Sequence, residues 1–78
     1  MKVRVTAYGI ARDITGKTFD AEVEGASVGD LRKALLQSYP QLGDLASLLV
    51  AVDEAYADDD TLIKQGDEVA LIPPVSGG

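Results

Sequence analysis

The 78-residue sequence contains no cysteine, no histidine and no tryptophan. Without Cys and His, the chain has no Cys/His zinc site, no disulfide, no cysteine nucleophile and no histidine general base. A chain this short forms one small domain with most of its residues near the surface, so a deep catalytic pocket is not expected. These absences exclude the enzyme classes that depend on such side chains.

Basic residues are also scarce, since seven Lys and Arg stand against thirteen Asp and Glu, giving a formal charge of −6. This charge opposes binding to phosphate backbones and to anionic membranes. Residues 1–5 alternate apolar and polar side chains, unlike the unbroken apolar stretch of a signal peptide. No segment approaches the roughly 20 apolar residues of a membrane span. We therefore expect a cytoplasmic protein with no nucleic acid and no membrane partner, whose charge fits a basic protein partner better.

Hydrophobic residues make up 46% of the chain, which is enough for a core. Residues 3–8 and 17–23 alternate apolar and polar side chains, which predicts two strands that form a hairpin. The buried face of the first strand carries Val3, Val5 and Ala7. Residues 9–16 interrupt the alternation, and we interpret them as a connecting loop with at most a helical turn.

A helix is predicted to begin after Ser27, because Ser27 and Asp30 have the spacing of a capping box. Pro40 disfavours helical geometry at the residue before it and should end the helix. The apolar residues between these limits recur at helical spacing and form one stripe. They are Val28, Leu31, Ala34, Leu35 and Tyr39.

The second half of the chain predicts further strands. Residues 41–47 fit either a short second helix or a packed loop, and residues 48–53 form an apolar run typical of a buried strand. Residues 55–60 predict a short edge strand and an acidic loop, and residues 68–72 predict a last strand that Pro73-Pro74 ends. Five strands covered by one amphipathic helix make a two-layer α+β domain.

Acidic residues are the remaining candidates for side-chain chemistry. Adjacent carboxylates such as Asp58-Asp59-Asp60 diverge and lack the alternate spacing of an EF-hand, so we interpret this run as a solvated loop and expect no metal site. No cleft-forming motif accompanies the other acidic pairs, which favours surface charge over acid/base catalysis. Those pairs are Glu22 with Glu24 and Asp67 with Glu68.

The C-terminal residues have no packing role that the pattern can explain. Val75-Ser76-Gly77-Gly78 follows two prolines and contains no further core residue. From Pro74 to Gly78 the chain can extend roughly 16–18 Å. Two terminal glycines without Cβ atoms suit a backbone that threads a narrow channel, while a frayed chain end is the alternative.

This ending resembles the small subunit of molybdopterin synthase, one of the MoaD-like sulfur carriers of the MoaD/ThiS family in the ubiquitin-like superfamily. The likeness rests on Gly66-Asp67-Glu68-Val69 and on Pro73-Pro74-Val75-Ser76-Gly77-Gly78. It spans essentially the whole chain, through Ala51-Val52-Asp53, Asp60-Thr61-Leu62, Val3-Arg4-Val5 and Ala11-Arg12-Asp13-Ile14-Thr15-Gly16. The fold that it implies is a ubiquitin-like β-grasp, an α+β fold with a mixed sheet of about five strands packed on one main helix.

The resemblance implies a β-grasp domain over residues 1–74 and a flexible functional tail over residues 75–78. The C-terminal carboxylate of Gly78 would be adenylated, converted to a thiocarboxylate, and used to donate sulfur to the cyclic pyranopterin precursor of molybdopterin. The residues expected to thread the partner's active site are Pro74, Val75, Ser76 and Gly77. This chain would bind no cofactor, because ATP and Mg²⁺ are used by the activating partner.

The implied partners are the molybdopterin synthase large subunit, an E1-like adenylyltransferase and a sulfur-donating protein. The chain would then be a non-catalytic sulfur-donor subunit, with the catalytic residues on the large subunit. Two alternatives remain open: a sulfur carrier for thiazole, cysteine or tRNA thiolation, or a ubiquitin-like protein modifier. The candidates for an exposed apolar partner surface are Leu49, Ile63 and Ile72.

Overall fold

The computed structural model describes residues 1–44 and 48–73. The described elements are strands β1 to β5, helices α1 and α2, and one 3₁₀ helix. In chain order they are β1 (Lys2–Ala7), α1 (Gly9–Thr15), β2 (Thr18–Glu22), α2 (Val28–Ser38), the 3₁₀ helix (Pro40–Asp44), β3 (Leu49–Val52), β4 (Ala55–Ala57) and β5 (Val69–Ile72). No helix in these ranges is long and apolar enough to cross a membrane.

The five strands form one mixed sheet in the order β2-β1-β5-β3-β4. Strand β1 is antiparallel to β2, as predicted for the first two strands, and parallel to β5 at the centre of the sheet. Strand β3 lies between β5 and β4, while β4 forms an edge. The predicted interior position of β3 and the predicted edge position of β4 are therefore confirmed.

One face of the sheet packs on α2 and forms the core. Val3, Val5 and Ala7 of β1 are buried, as their alternation predicts. Val69 and Leu71 of β5 are buried beside them, because the two strands run parallel with Val5 opposite Val69 and Ala7 opposite Leu71. The helix contributes Val28, Leu31 and Leu35 to the same core.

The start of α2 has the complete capping box that its sequence predicts. Ser27 Oγ accepts the Asp30 N–H at 3.1 Å, and Asp30 Oδ2 accepts the Ser27 N–H at 3.3 Å. These hydrogen bonds with Ser27 are the main reason that the pKa of the Asp30 carboxyl lies below its ordinary value. The helix ends at Ser38, before Pro40, as predicted.

Two connections contain more helix than the sequence pattern indicates. Residues 9–15 form the seven-residue helix α1, where only a loop with a helical turn is predicted. The physical reason is tertiary, because Ala11 of α1 is completely buried in the core. Of residues 41–47, the structure describes 41–44 as part of the 3₁₀ helix, with Leu42 buried, and 45–47 lie outside the described residues.

The β3–β4 connection is a two-residue turn formed by Asp53 and Glu54. Both residues have a positive φ, 51° and 70°, a conformation that usually requires Asn, Asp or Gly. Asp53 also fixes the start of β5, since its N–H donates to the Glu68 carbonyl at 2.8 Å and its Oδ1 accepts the Glu68 N–H at 3.0 Å. Asp53 therefore supplies both the turn conformation and a side-chain acceptor.

Arg32 of α2 makes two hydrogen bonds to other segments of the chain. Its Nη1 donates to the Leu48 carbonyl at 2.6 Å, and its Nε donates to Asp59 Oδ1 at 2.7 Å. The guanidinium thus connects the helix to the residue before β3 and to the acidic loop after β4. No pattern in the sequence indicates these two contacts, because they join segments that are distant along the chain.

Candidate functional site

The candidate site begins where the chain leaves the centre of the sheet. Strand β5 ends at Ile72, between the end of β1 and the start of β3. The chain continues through a buried Pro73. The predicted tail residues lie outside the described residues; they are Pro74, Val75, Ser76, Gly77 and Gly78. The predicted domain boundary after residue 74 lies outside them as well. The structure therefore describes this end of the chain up to Pro73, which we call the point of departure.

The residues that follow β1 contact the end of β5 and Pro73. The Tyr8 N–H donates to the Leu71 carbonyl at 3.1 Å, which extends the pairing of β1 and β5 by one residue. Gly9 follows with a φ of +54°, in the left-handed region that favours glycine. A Cβ on Gly9 would lie 3.0 Å from Cγ of Pro73, so a side chain at this position would require the proline ring to shift.

The face of the sheet opposite α2 forms an open groove of about 1000 Å³ that starts at this point. We call it the outer face. Its apolar half lies on β5, β3 and β4, where Ile72 is opposite Leu49 and Ala51 lies between Ala70 and Tyr56. Leu49 is 41% exposed and Tyr56 is 71% exposed. The described domain therefore leaves a patch of apolar surface beside the end of β5.

The other half of the outer face is charged and lies on β1 and β2. Arg4 Nε donates to Asp20 Oδ1 across these strands at 2.7 Å. Lys2 stands opposite Glu22 in the same register. Arg4 and Asp20 form an ion pair, and Lys2 and Glu22 have opposite signs, so this half presents mixed charge rather than a strong field of one sign.

The acidic residues singled out in the sequence serve loop structure. Asp58 Oδ1 accepts hydrogen bonds from the Asp60 N–H and the Thr61 hydroxyl, and Asp59 pairs with Arg32. Asp67 Oδ2 accepts the Lys64 N–H at 2.8 Å. Within residues 1–44 and 48–73, no group of three or more acidic side chains is arranged to hold a metal ion.

Of the three residues predicted for an apolar partner surface, two lie on the outer face. Leu49 and Ile72 are paired there, but Ile63 is only 4% exposed and belongs to the core. The prediction for Ile63 is wrong because residues 61–63 bond to the backbone of residues 26–28 at the start of α2, and the Ile63 side chain joins the core. Sequence reasoning missed Tyr8 and Tyr56, although a tyrosine at an outward position of a short strand is a usable signal.

A five-stranded mixed sheet in this order, packed on one main helix, defines a ubiquitin-like β-grasp protein. A profile of the ThiS family matches residues 5–78. The molybdopterin synthase sulfur carrier subunit of Mycobacterium tuberculosis is 40% identical over 82 aligned residues, which cover 100% of this chain and 99% of that protein. The chain belongs to the ThiS family.

Solved structures agree with this assignment and with the predicted fold. The crystal structure of SAMP1 from Haloferax volcanii superposes with a TM-score of 0.82 at 27% identity, covering 100% of both chains. A chain in the complex of subunits 1 and 2 of molybdopterin-converting factor from Helicobacter pylori gives a TM-score of 0.68 at 31% identity, again covering 100% of both chains. The second structure shows that a relative of this size assembles with a different subunit.

Proposed function

We propose that this chain is the sulfur-carrier subunit of a molybdopterin synthase. The observation that carries the proposal is the full-length similarity to a curated sulfur carrier subunit, together with a family match that continues through Gly78. The described domain is compatible with the proposal, because its central strand β5 ends at Ile72, shortly before Gly78 in the sequence. The curated relatives reported above do not favour either alternative role.

The reactive group of the proposed cycle is the carboxylate of Gly78. An α-carboxylate has a pKa of about 3.3–3.7, so at neutral pH it is ionised and resists attack by a nucleophile. Attack of this carboxylate on the α-phosphorus of ATP forms an acyl adenylate and releases pyrophosphate. A sulfur nucleophile of hydrosulfide oxidation level then replaces AMP at the acyl carbon and leaves a thiocarboxylate.

The partners supply every catalytic side chain in this proposal. An E1-like adenylyltransferase binds ATP and Mg²⁺, and a sulfur-donating protein delivers the sulfur. The large subunit holds the cyclic pyranopterin precursor, which receives sulfur from the Gly78 thiocarboxylate. This division of roles fits a chain without Cys or His, because no internal thiol or imidazole competes for the activated acyl group.

Docking on the large subunit uses two features of the chain. The apolar half of the outer face, with Tyr56 and Ile72, supplies the area that excludes water from the interface. The tail residues Pro74, Val75, Ser76 and Gly77 reach into the partner's active site, where the absence of a side chain on Gly77 and Gly78 allows a narrow channel. The acidic surface assists encounter with basic partners.

Reconstitution with the partners tests the proposal. The chain is mixed with the activating enzyme, ATP, a sulfur donor, the large subunit and the precursor, and formation of the dithiolene product is followed. Deleting Gly78 should abolish product formation and leave thermal unfolding unchanged, because the core described within residues 1–44 and 48–73 is assembled without it. Retained product formation by the shortened chain would contradict the role of the terminus. Appearance of the chain on lysines of other proteins, with no sulfur transfer, would support the modifier alternative.

A further inference from the structure

Glu54 has a backbone conformation that its residue type disfavours. It is the second residue of the β3–β4 turn, and its φ is +70°. Residues with a Cβ atom are disfavoured in the left-handed region, and glycine is the usual residue at the second position of such a two-residue hairpin turn. Because the short turn fixes this backbone, a glutamate in place of a glycine lowers the stability of the free domain.

The side chain of Glu54 forms no polar contact that would offset this loss. Asp53, the first residue of the same turn, belongs to a residue type that tolerates a positive φ, and its carboxylate accepts the Glu68 N–H at 3.0 Å. Glu54 is exposed. In the part of the chain that the structure describes, no ion pair and no side-chain hydrogen bond involves its carboxylate. The free domain therefore gives no reason for a glutamate at this position.

The position of Glu54 on the molecule suggests where that reason lies. Glu54 lines the groove of the outer face, together with Tyr56 two residues further along the chain. Tyr56 is 71% exposed. The turn follows Val52, which is opposite Val69 at the start of β5, so the Glu54 carboxylate lies at the end of the apolar half that is far from Ile72. A partner that covers Tyr56 also comes close to Glu54.

We propose that Glu54 is a recognition residue whose carboxylate pairs with a lysine or arginine side chain of the large subunit. The proposal rests on the proposed function, which puts the large subunit on the outer face. A cation is the group that an ionised carboxylate beside an apolar interface attracts, and the charge of −6 on the chain fits a basic partner surface. Covering Tyr56 removes water around the pair and strengthens it. Residues with disfavoured backbone conformations are concentrated at such binding sites.

Three substitutions separate the charge of Glu54 from its backbone conformation and from the net charge of the chain. Glu54→Gln retains a side chain of the same size on the same backbone and removes only the charge. Glu54→Gly removes the charge and the disfavoured conformation together. Glu24→Gln is the matched control, because Glu24 is also exposed but lies outside the residues that line the groove. It changes the net charge by the same amount as Glu54→Gln.

The experiment measures the affinity of each full-length variant for the large subunit by calorimetric titration, and the thermal unfolding of each free variant. Glu54→Gln should weaken binding about 3- to 10-fold. Glu54→Gly should weaken binding to a similar extent, but it should raise the melting temperature by about 2–8 °C because glycine adopts a positive φ freely. Glu24→Gln should leave the affinity within about twofold.

Three results would overturn the recognition role. They are an affinity of Glu54→Gln within about twofold of the unmodified chain, an equal weakening in Glu24→Gln, and a lower melting temperature in Glu54→Gly, which would show that the glutamate stabilises the turn itself. The unmodified chain reports on the proposed function separately. If it does not bind the large subunit, the proposed function and the recognition role both fail, whereas normal binding beside an unaffected Glu54→Gln overturns only the recognition role.

Discussion

The two faces of the sheet differ although they are built from alternate residues of the same strands. On β5, Val69 and Leu71 point to α2 and are buried, while Ala70 and Ile72 point to the outer face. Strand β3 repeats the division, with Val50 in the core and Leu49 exposed. The same strands thus bury one face in the core and leave apolar side chains exposed on the other.

The largest effect on folding is expected on the inner face. Leu71→Ala should lower the free energy of unfolding by about 2–4 kcal/mol, because Leu71 is completely buried at the centre of the sheet. Chemical denaturation measures this loss. Affinity of the remaining folded fraction for the large subunit should stay within about threefold, since the side chain does not reach the outer face. A loss below about 0.5 kcal/mol would contradict the assigned core.

Substitution on the outer face should produce the opposite result. Tyr56→Ala should weaken binding to the large subunit about tenfold or more, equivalent to ~1.4 kcal/mol, because a 71% exposed tyrosine is a typical interface anchor. Its free energy of unfolding should change by less than about 0.5 kcal/mol. Calorimetric titration measures the affinity.

Leu62 provides the matched control for that prediction. It is 67% exposed but lies outside the residues that line the groove. Leu62→Ala should leave the affinity for the large subunit within about twofold. Equal weakening by both variants would show that general surface hydrophobicity, rather than the outer face, determines binding.

Two ion pairs, Arg32–Asp59 and Arg4–Asp20, should also differ in their contribution to stability, by a smaller amount. Arg32→Ala should reduce the free energy of unfolding by about 1–2 kcal/mol, because a largely covered guanidinium also bonds the Leu48 carbonyl. Arg4→Ala on the outer face removes an exposed pair with Asp20 and should cost less than about 0.5 kcal/mol. Parallel denaturation curves compare the variants. A larger loss for Arg4→Ala would contradict this ranking.

The smallest expected effect is the acid sensitivity of the α2 capping box. Hydrogen bonds from Ser27 lower the folded-state pKa of Asp30, so its contribution to stability is present above the unfolded-state pKa and is lost as the pH falls through the folded-state value. The loss therefore lies below about pH 4. Asp30→Asn should flatten stability against pH in that range. An unchanged pH profile in the variant would contradict the assigned cause.

Local patterns in the sequence were sufficient for much of the fold. Alternation identifies the core residues of β1, and the Ser27–Asp30 spacing identifies the start of α2, because each depends on neighbours along the chain. Helix α1 was missed because it is short and depends on burying Ala11 in the core. Its signal in the sequence is the i, i+3 spacing of Ala11 and Ile14, both of which pack in or against the core.

The candidate site was predictable only in its chemistry. The terminal glycines and the resemblance indicate a carrier tail, but the contact between Gly9 and Pro73 joins residues from opposite ends of the chain. The residues of the outer face were equally difficult to predict from the sequence. Alternation does not separate an outward Ile72 from a buried Ile63 in short apolar runs, because burial of Ile63 depends on the bonding of its segment to residues distant along the chain, at the start of α2.

The central claim is that sulfur is carried on the terminal carboxylate of this chain. The most direct test is the intact mass after incubation with the activating enzyme, ATP and the sulfur donor, followed by fragmentation of the C-terminal peptide. The account predicts a gain of about 16 Da, the difference between a sulfur and an oxygen atom, located on Gly78 and absent without ATP. An unchanged mass under conditions in which the enzyme consumes ATP, or a gain located on another residue, would contradict it.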